Sequence, residues 1–391
     1  MTDSIDYNGR ILEKAYLLEA SQRDYIVENG TYEDGILTVE ANSVAKVKVS
    51  IFLTDEDKTY LDSTFANGMY VEGYITLDSI DSNIDLSIPW LAFYGDWDDA
   101  PIFDATYYDD TYEIYPTIPL GLYISGMMGY PFPLGSYELF ILPDGYEAPL
   151  ASADKIALNY EGNNVLYSVS IGLLRSVKEL RYEIVDKYTR QSYFNGYATN
   201  VGKTYLNDSG ALVPTQHELQ IEIPQFLVGS NQELEIVITG VLDTIDQKEE
   251  SLVIPLTLDY EAPTLLDSKV YEKEGRTYLE FEAYDNHYLS YFGLLTESEA
   301  YPDEFELICD NAFPIYDEVR GGNTVVTVDI TDYKDKIYNH KLALAIGDYA
   351  LNESGYLIEA YEEFITGSTS TQDLNKTSYE ETKTDQVVTT L

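Results

Sequence analysis

The stretch from Leu86 to Asp104 sets the first limit on what this chain can fold into. Its front half, Leu86 to Tyr94, is apolar and aromatic and is interrupted by Pro89. A proline inside a helix loses a hydrogen bond and clashes with the preceding turn, so the run suits a strand on a core and not a helix. Gly95 ends it. Both tryptophans, Trp90 and Trp97, fall here, with Asp96, Asp98 and Asp99 around the second. The residues alone allow two readings: a buried strand running into an aromatic-anchored loop, or a cluster of acids and aromatics that carries chemistry.

Strand patterning recurs along the whole chain. Clean alternation runs through Ala45 to Leu53, and Met69 to Leu77 also reads as a strand. Further apolar stretches fall at Ile36 to Glu40, Ile84 to Tyr94, Val165 to Ile171, Glu179 to Asp186, His217 to Ile223, Glu233 to Gly240 and Ser251 to Leu258. Others run through Thr277 to Tyr284, Tyr288 to Leu295, Thr324 to Ile330 and Leu342 to Gly347. Thr54 to Lys58 reads as a polar turn, and Ile11 to Val27 is ambiguous between helix and strand. Of 391 residues, 45% are hydrophobic and 37 are tyrosine, too much β-favouring, buriable surface for a disordered chain. That length also exceeds what a single core fills, so several domains are expected.

The charge excludes one class of partner. Lys and Arg total 23 against 69 Asp and Glu, a formal charge of −46, which repels nucleic-acid backbones. One cysteine, Cys309, permits no disulfide within the chain and no thiolate metal site; beside Ile308 it reads as a small core residue. The longest uncharged run, Ile114 to Tyr137, is broken by Pro116, Pro119, Pro131 and Pro133 and by Gly121, Gly126, Gly129 and Gly135. A lipid-facing helix could not satisfy its backbone there, so no membrane insertion is expected. The N-terminus lacks the basic and apolar regions of an export signal, and no wall-sorting motif follows the tail.

No catalytic constellation stands out. The histidines are His217, His287 and His340, and none lies in a glycine-bearing motif of the kind that presents a triad histidine; no G-x-S-x-G segment occurs. No His pair has zinc-ligand spacing. Asp98, Asp99 and Asp104 are weak calcium candidates, as are Asp55, Glu56 and Asp57, because no EF-hand spacing is met. With so many acids a glycosidase-like pair can always be nominated, so that signal carries no weight. The sequons at Asn29, Asn207, Asn352 and Asn375 are expected by chance. No enzyme activity and no cofactor beyond possible calcium is expected.

Asn67-Gly68-Met69-Tyr70-Val71-Glu72-Gly73-Tyr74, then Asp85 to Trp97 and Ala100-Pro101-Ile102-Phe103-Asp104, resemble a long pattern, NG-x-(Y/F)-VEG(F/Y)…DLS-x-P(F/Y)-GFYGDW…AP-x-x-D. It closes the first fibronectin type III-like domain behind the catalytic domain of cell-envelope subtilisin-like serine proteases, the lactocepin and complement-peptidase group. Trp90, Phe93, Gly95, Asp96, Trp97 and Pro101 carry that motif here. Ser170 to Ile184 resembles the family's "LLRNAKELT" stretch. Asp285-Asn286-His287-Tyr288 and Gly347 to Glu353 resemble its "DN-x-Y" and "DYAGNE" turns, with Leu351 in place of the glycine. A loop resembling S-P-N-G-D-G, rich in oxygen ligands in relatives, is replaced here by Leu158 to Asn164, which offers mainly Glu161, Asn163 and Asn164.

The resemblance implies an all-β chain of tandem fibronectin-like (immunoglobulin-like) sandwiches. The expected divisions are a first sandwich over 1–104, without its initial strands, and a Tyr-, Pro- and Gly-rich connection over 105–150. A second sandwich follows over 151–260, a third over 261–366 and a flexible Ser/Thr-rich tail over 367–391. The implied role is a non-catalytic accessory and spacer region that supports the catalytic domain and substrate access at the cell surface. Its partners would be that catalytic domain and, more remotely, protein substrate or cell-wall carbohydrate. The alternative is a stand-alone adhesin or carbohydrate-binding β-sandwich protein, with exposed Tyr and Trp stacking on sugars.

Overall fold

A computed structural model describes residues 4–7, 10–13, 22–65, 68–80, 84–125, 127–162, 164–207, 212–213, 218–298, 305–308, 311–316, 318–337 and 341–358. Cys309, His217, His340, Asn163 and the tail over 367–391 lie outside the described residues. The chain is all-β and divides into two compact units, residues 1–100 and 101–391.

In the first unit the described strands pair two by two. Gln22–Glu28 pairs with Lys46–Phe52, Thr31–Glu33 with Ile36–Thr38 and Met69–Leu77 with Leu86–Tyr94. The last hairpin carries the aromatic motif. Trp90 lies opposite Gly73, where a Cβ would come within 2.8 Å of the indole Nε1. Phe93 and Trp97 meet edge-on at 4.9 Å between ring centroids, and Tyr70 packs on Phe93 at 5.4 Å. Gly95 has φ of 115°, and a Cβ there would stand 2.7 Å from the Gly68 Cα. Bulk at that position would push the hairpin ends apart.

Residues 54–58, expected as a polar turn, instead open the helix Asp55–Thr64. Thr54 Oγ1 accepts the Asp57 N–H at 3.1 Å while Asp57 Oδ2 accepts the Thr54 N–H at 3.2 Å, a reciprocal capping box. Asp55, Glu56 and Asp57 then place negative charge at the positive end of the helix dipole. The acidity that reads as a turn is a helix start.

The second unit holds two sandwiches in series. In the first, one sheet has the order Met128–Pro133, Ile118–Ser125, Asn164–Ser170, Glu218–Leu219. The other runs Ala157–Leu158, Glu249–Leu258, Gln232–Val241, Val177–Asp186, Ser192–Val201. Alternation does what it should: Leu234, Ile236 and Ile238 point inward from one sheet and meet Leu166 and Val169 of the other in one cluster.

The stretch over 105–150, expected as a connection laid over protein, therefore supplies two strands of this sandwich. Its prolines sit where strands tolerate them. Pro119 is the second residue of its strand, and Pro131 and Pro133 lie on the edge strand of their sheet.

In the second sandwich, Thr264–Lys273, Arg276–Tyr284 and Asn323–Asp329 form one sheet. The facing sheet has the order Phe305–Leu307, Leu289–Glu297, Leu342–Asp348, Glu353–Ile358, with Phe313–Pro314 also pairing with Leu289–Glu297. At its centre Phe313 stacks on Phe292, which meets Phe281 edge-on; all three are all but inaccessible, each worth roughly 1.5–3 kcal/mol of transfer free energy. Leu289–Glu297 is buried along both faces except at Glu297. Its outer face is covered: Tyr291 packs on Phe140 and Tyr137 from the first sandwich's side of the chain.

No helix among the described residues is long and apolar enough to cross a membrane.

Candidate functional site

The two sandwiches of the second unit meet at three strand ends. Glu249–Leu258 is followed by Asp259, Arg276–Tyr284 by Asp285, and Leu342–Asp348 ends in Asp348 itself. The three carboxylates are 0%, 1% and 0% exposed, and one oxygen from each lies within 4.8 Å of the others.

Local turns fix each acid. Asp285 Oδ1 accepts the His287 N–H at 2.7 Å, a two-residue Asx turn. Asp348 Oδ1 accepts the Asn352 N–H at 2.9 Å, and Oδ2 accepts the Asn352 side-chain amide at 2.7 Å. Asp259 Oδ1 accepts the Asn286 amide at 2.9 Å and the Glu261 N–H at 3.1 Å. Leu351, which stands where the resemblance expects glycine, holds φ at 65° and tucks its side chain against both the first sandwich's core and the Tyr137–Tyr291 cluster. The left-handed turn is kept, and packing offsets its strain.

The same residues tie the sandwiches together. Asn352 Nδ2 also donates to the Asp259 carbonyl at 3.1 Å, and its Oδ1 accepts from Asn159. Asn164, wholly buried, donates to the Ala157 and Tyr349 carbonyls at 3.1 and 3.4 Å. Around this centre Lys155 pairs with Glu318, Arg320 with Glu233 at 3.4 Å, and the Tyr288 hydroxyl donates to Asp154 at 2.7 Å.

The electrostatics are adverse. Burial raises the Asp285 carboxyl to about 7, with the Asp259 charge adding to the rise against the His287 N–H. Burial, then the charges of Asp285 and Asp259, carry Asp348 well above the carboxylate range. Asp259 is raised by burial, partly offset by the Asn286 and Glu261 donors. Among the described residues no lysine or arginine pairs with any of the three. Three crowded acids without a cationic partner are neutralised by protons or by a bound cation.

His287 is 2% exposed, and its Nε2 has no hydrogen-bond partner; burial, then repulsion by Arg320, lowers it to about 4. Burial thus keeps this imidazole neutral, with its ring edge-on to that of Tyr288 at 5.0 Å between centroids.

Asp98 and Asp99 belong to the first unit and Asp104 to the second. Asp104 is buried, and its two oxygens take four backbone N–H groups: Ala105 and Glu113 at 2.9 and 2.8 Å, Ile114 and Tyr115 at 2.7 and 3.0 Å. Burial pushes this carboxyl up, but the four donors outweigh it and hold it below its ordinary value. It is a loop organiser. Pro101 is exposed just before Ile102 and Phe103 enter the core. The sequon residue Asn352 is 8% exposed with its amide engaged, so no sugar can be attached in the folded state.

Sequence reasoning found the Asp285 and Asp348 turns as motifs but missed Asp259. Its one signal was position: an acid directly after an apolar strand, as at the other two.

In comparison with known proteins, no family model and no curated protein sequence matches this chain.

Proposed function

We propose that the chain is non-catalytic β-scaffolding of a cell-envelope subtilisin-like serine endopeptidase, positioned behind a hydrolytic domain and spacing it from its surroundings. The observation that carries this reading is the junction: two sandwiches share a buried polar seam in which Asn352, Asn159 and Asn164 bond across. Such a seam resists bending, as a spacer must. The resemblance of Asp85 to Asp104 to the family's pattern supplies the kind of protein.

The test is casein hydrolysis by purified chain, alone and mixed with a subtilisin-like catalytic domain of the same family. The chain alone should give no turnover, and the mixture should give a stable complex with altered substrate preference. Turnover by the chain alone that survives serine-protease inhibitors and repeated purification contradicts the reading.

One observation favours the second reading, a carbohydrate-binding surface protein. In the first unit Tyr70 and Trp97 lie edge to face at 5.8 Å and are about half exposed, with Tyr74 further along the same strand. Retention on a cell-wall polysaccharide column that is lost in Trp97→Ala would select it.

A further inference from the structure

We infer that Asp259, Asp285 and Asp348 form a calcium site that fastens the two sandwiches of the second unit to each other. The inference stands apart from the scaffold reading, since it concerns only this chain's own carboxylates.

The trio differs from an ordinary acidic patch in two respects. First, its members are as buried as the core leucines, whereas acids are almost never fully buried without a partner. Second, their hydrogen bonding is unfinished. Asp259 Oδ2 and Asp285 Oδ2, both in inaccessible residues, accept from no donor, and neither does Oδ1 of Asn286, whose amide nitrogen holds Asp259. Compare Asp104, also buried, whose two oxygens take four backbone N–H groups. A fold that supplies four donors to one aspartate and leaves two others short has a different partner in mind for them: a group that accepts oxygen lone pairs.

The chemistry of the donor set narrows that group. All three acids offer oxygen, and among the described residues no imidazole or thiolate joins the group, so a nitrogen- or sulfur-seeking metal has nothing to select it. Oxygens 4.8 Å apart or closer are spaced as ligands of an ion with bonds of about 2.3–2.6 Å, which is calcium's range. Magnesium requires shorter bonds and several retained waters, which suits carboxylates this buried less well.

Position supplies the consequence. Asp259 ends the last strand of one sandwich, while Asp285 and Asp348 end strands in the two facing sheets of the other. An ion held by all three closes the joint.

The experiment uses full-length chain stripped with EDTA and then titrated with calcium chloride, read by isothermal titration calorimetry and by thermal unfolding. One calcium per chain is expected, with affinity on the order of micromolar. Tm should rise by about 5 °C or more at saturation, and magnesium at equal concentration should do far less. Asp285→Asn and Asp348→Asn should each lose at least ten-fold in affinity and most of the Tm shift, while Asp98→Asn keeps both. Should a variant not fold, the wild-type titration decides alone. Stripped wild-type chain that takes up no calcium at millimolar concentration and melts at the same temperature with and without it overturns the inference.

Discussion

The two units use the same strand grammar with opposite results. Lys46–Phe52 and Met69–Leu77 alternate as cleanly as Gln232–Val241, yet in the first unit Leu61 is the one buried hydrophobic among the described residues. Ile26, Ile84, Leu86, Ile88 and Leu91 are all more than half exposed there. In the second unit the same kind of strand feeds two closed clusters. Alternation chooses which face of a strand turns inward; only a second sheet makes that face a core.

The largest effect that sharpens this contrast is core truncation. Phe281→Ala should cost roughly 3–5 kcal/mol in urea unfolding, because it leaves a cavity between Phe292 and Leu279. The matching Ile88→Ala in the first unit, at a side chain 55% exposed, should stay within about 0.5 kcal/mol. Equal costs would break the comparison.

Next is Asp104→Ala, which leaves four N–H groups of a half-buried loop without their acceptor and should cost about 2–3 kcal/mol. The carboxyl is held below its ordinary value in the fold, so the unfolded chain binds that proton more readily. Its contribution is therefore complete above the ordinary carboxylate pKa and is lost as pH falls through the folded value. Acid unfolding followed by circular dichroism should show wild type destabilising below about pH 4 more steeply than Asp104→Asn.

What the residues announce and what they hide follows from the same physics. Gln232–Val241 and Arg276–Tyr284 were legible because alternation is a local property. Thr264–Lys273 was not: a register shift between Leu265 and Asp267 breaks its period, and acids and lysines dilute its apolar face. The helix Asp55–Thr64 was hidden because an acidic cluster serves a turn and a helix start equally well. The candidate site was half legible. Asp285 and Asp348 sit in recognisable turns, but their meeting with Asp259 depends on how two sandwiches stack, which no spacing in the chain encodes.

Smaller effects probe that stacking and the first unit. Leu351→Gly relieves a left-handed φ of 65° but removes a side chain that touches two clusters. A net loss of about 1 kcal/mol is expected, since packing outweighs the strain of one residue. A stability gain would mean that the turn, and not the packing, governs the joint. Thr54→Ala should cost about 1 kcal/mol through loss of the capping box, visible as earlier melting of the first unit alone.

We propose that the two sandwiches of the second unit behave as one stiff body closed by a cation. The most direct measurement is the distance distribution between spin labels at Tyr197→Cys and Val325→Cys, exposed positions on the two sandwiches, in a Cys309→Ser background. With calcium a single narrow distribution is expected, which broadens on addition of EDTA. A distribution equally broad in both conditions would contradict it.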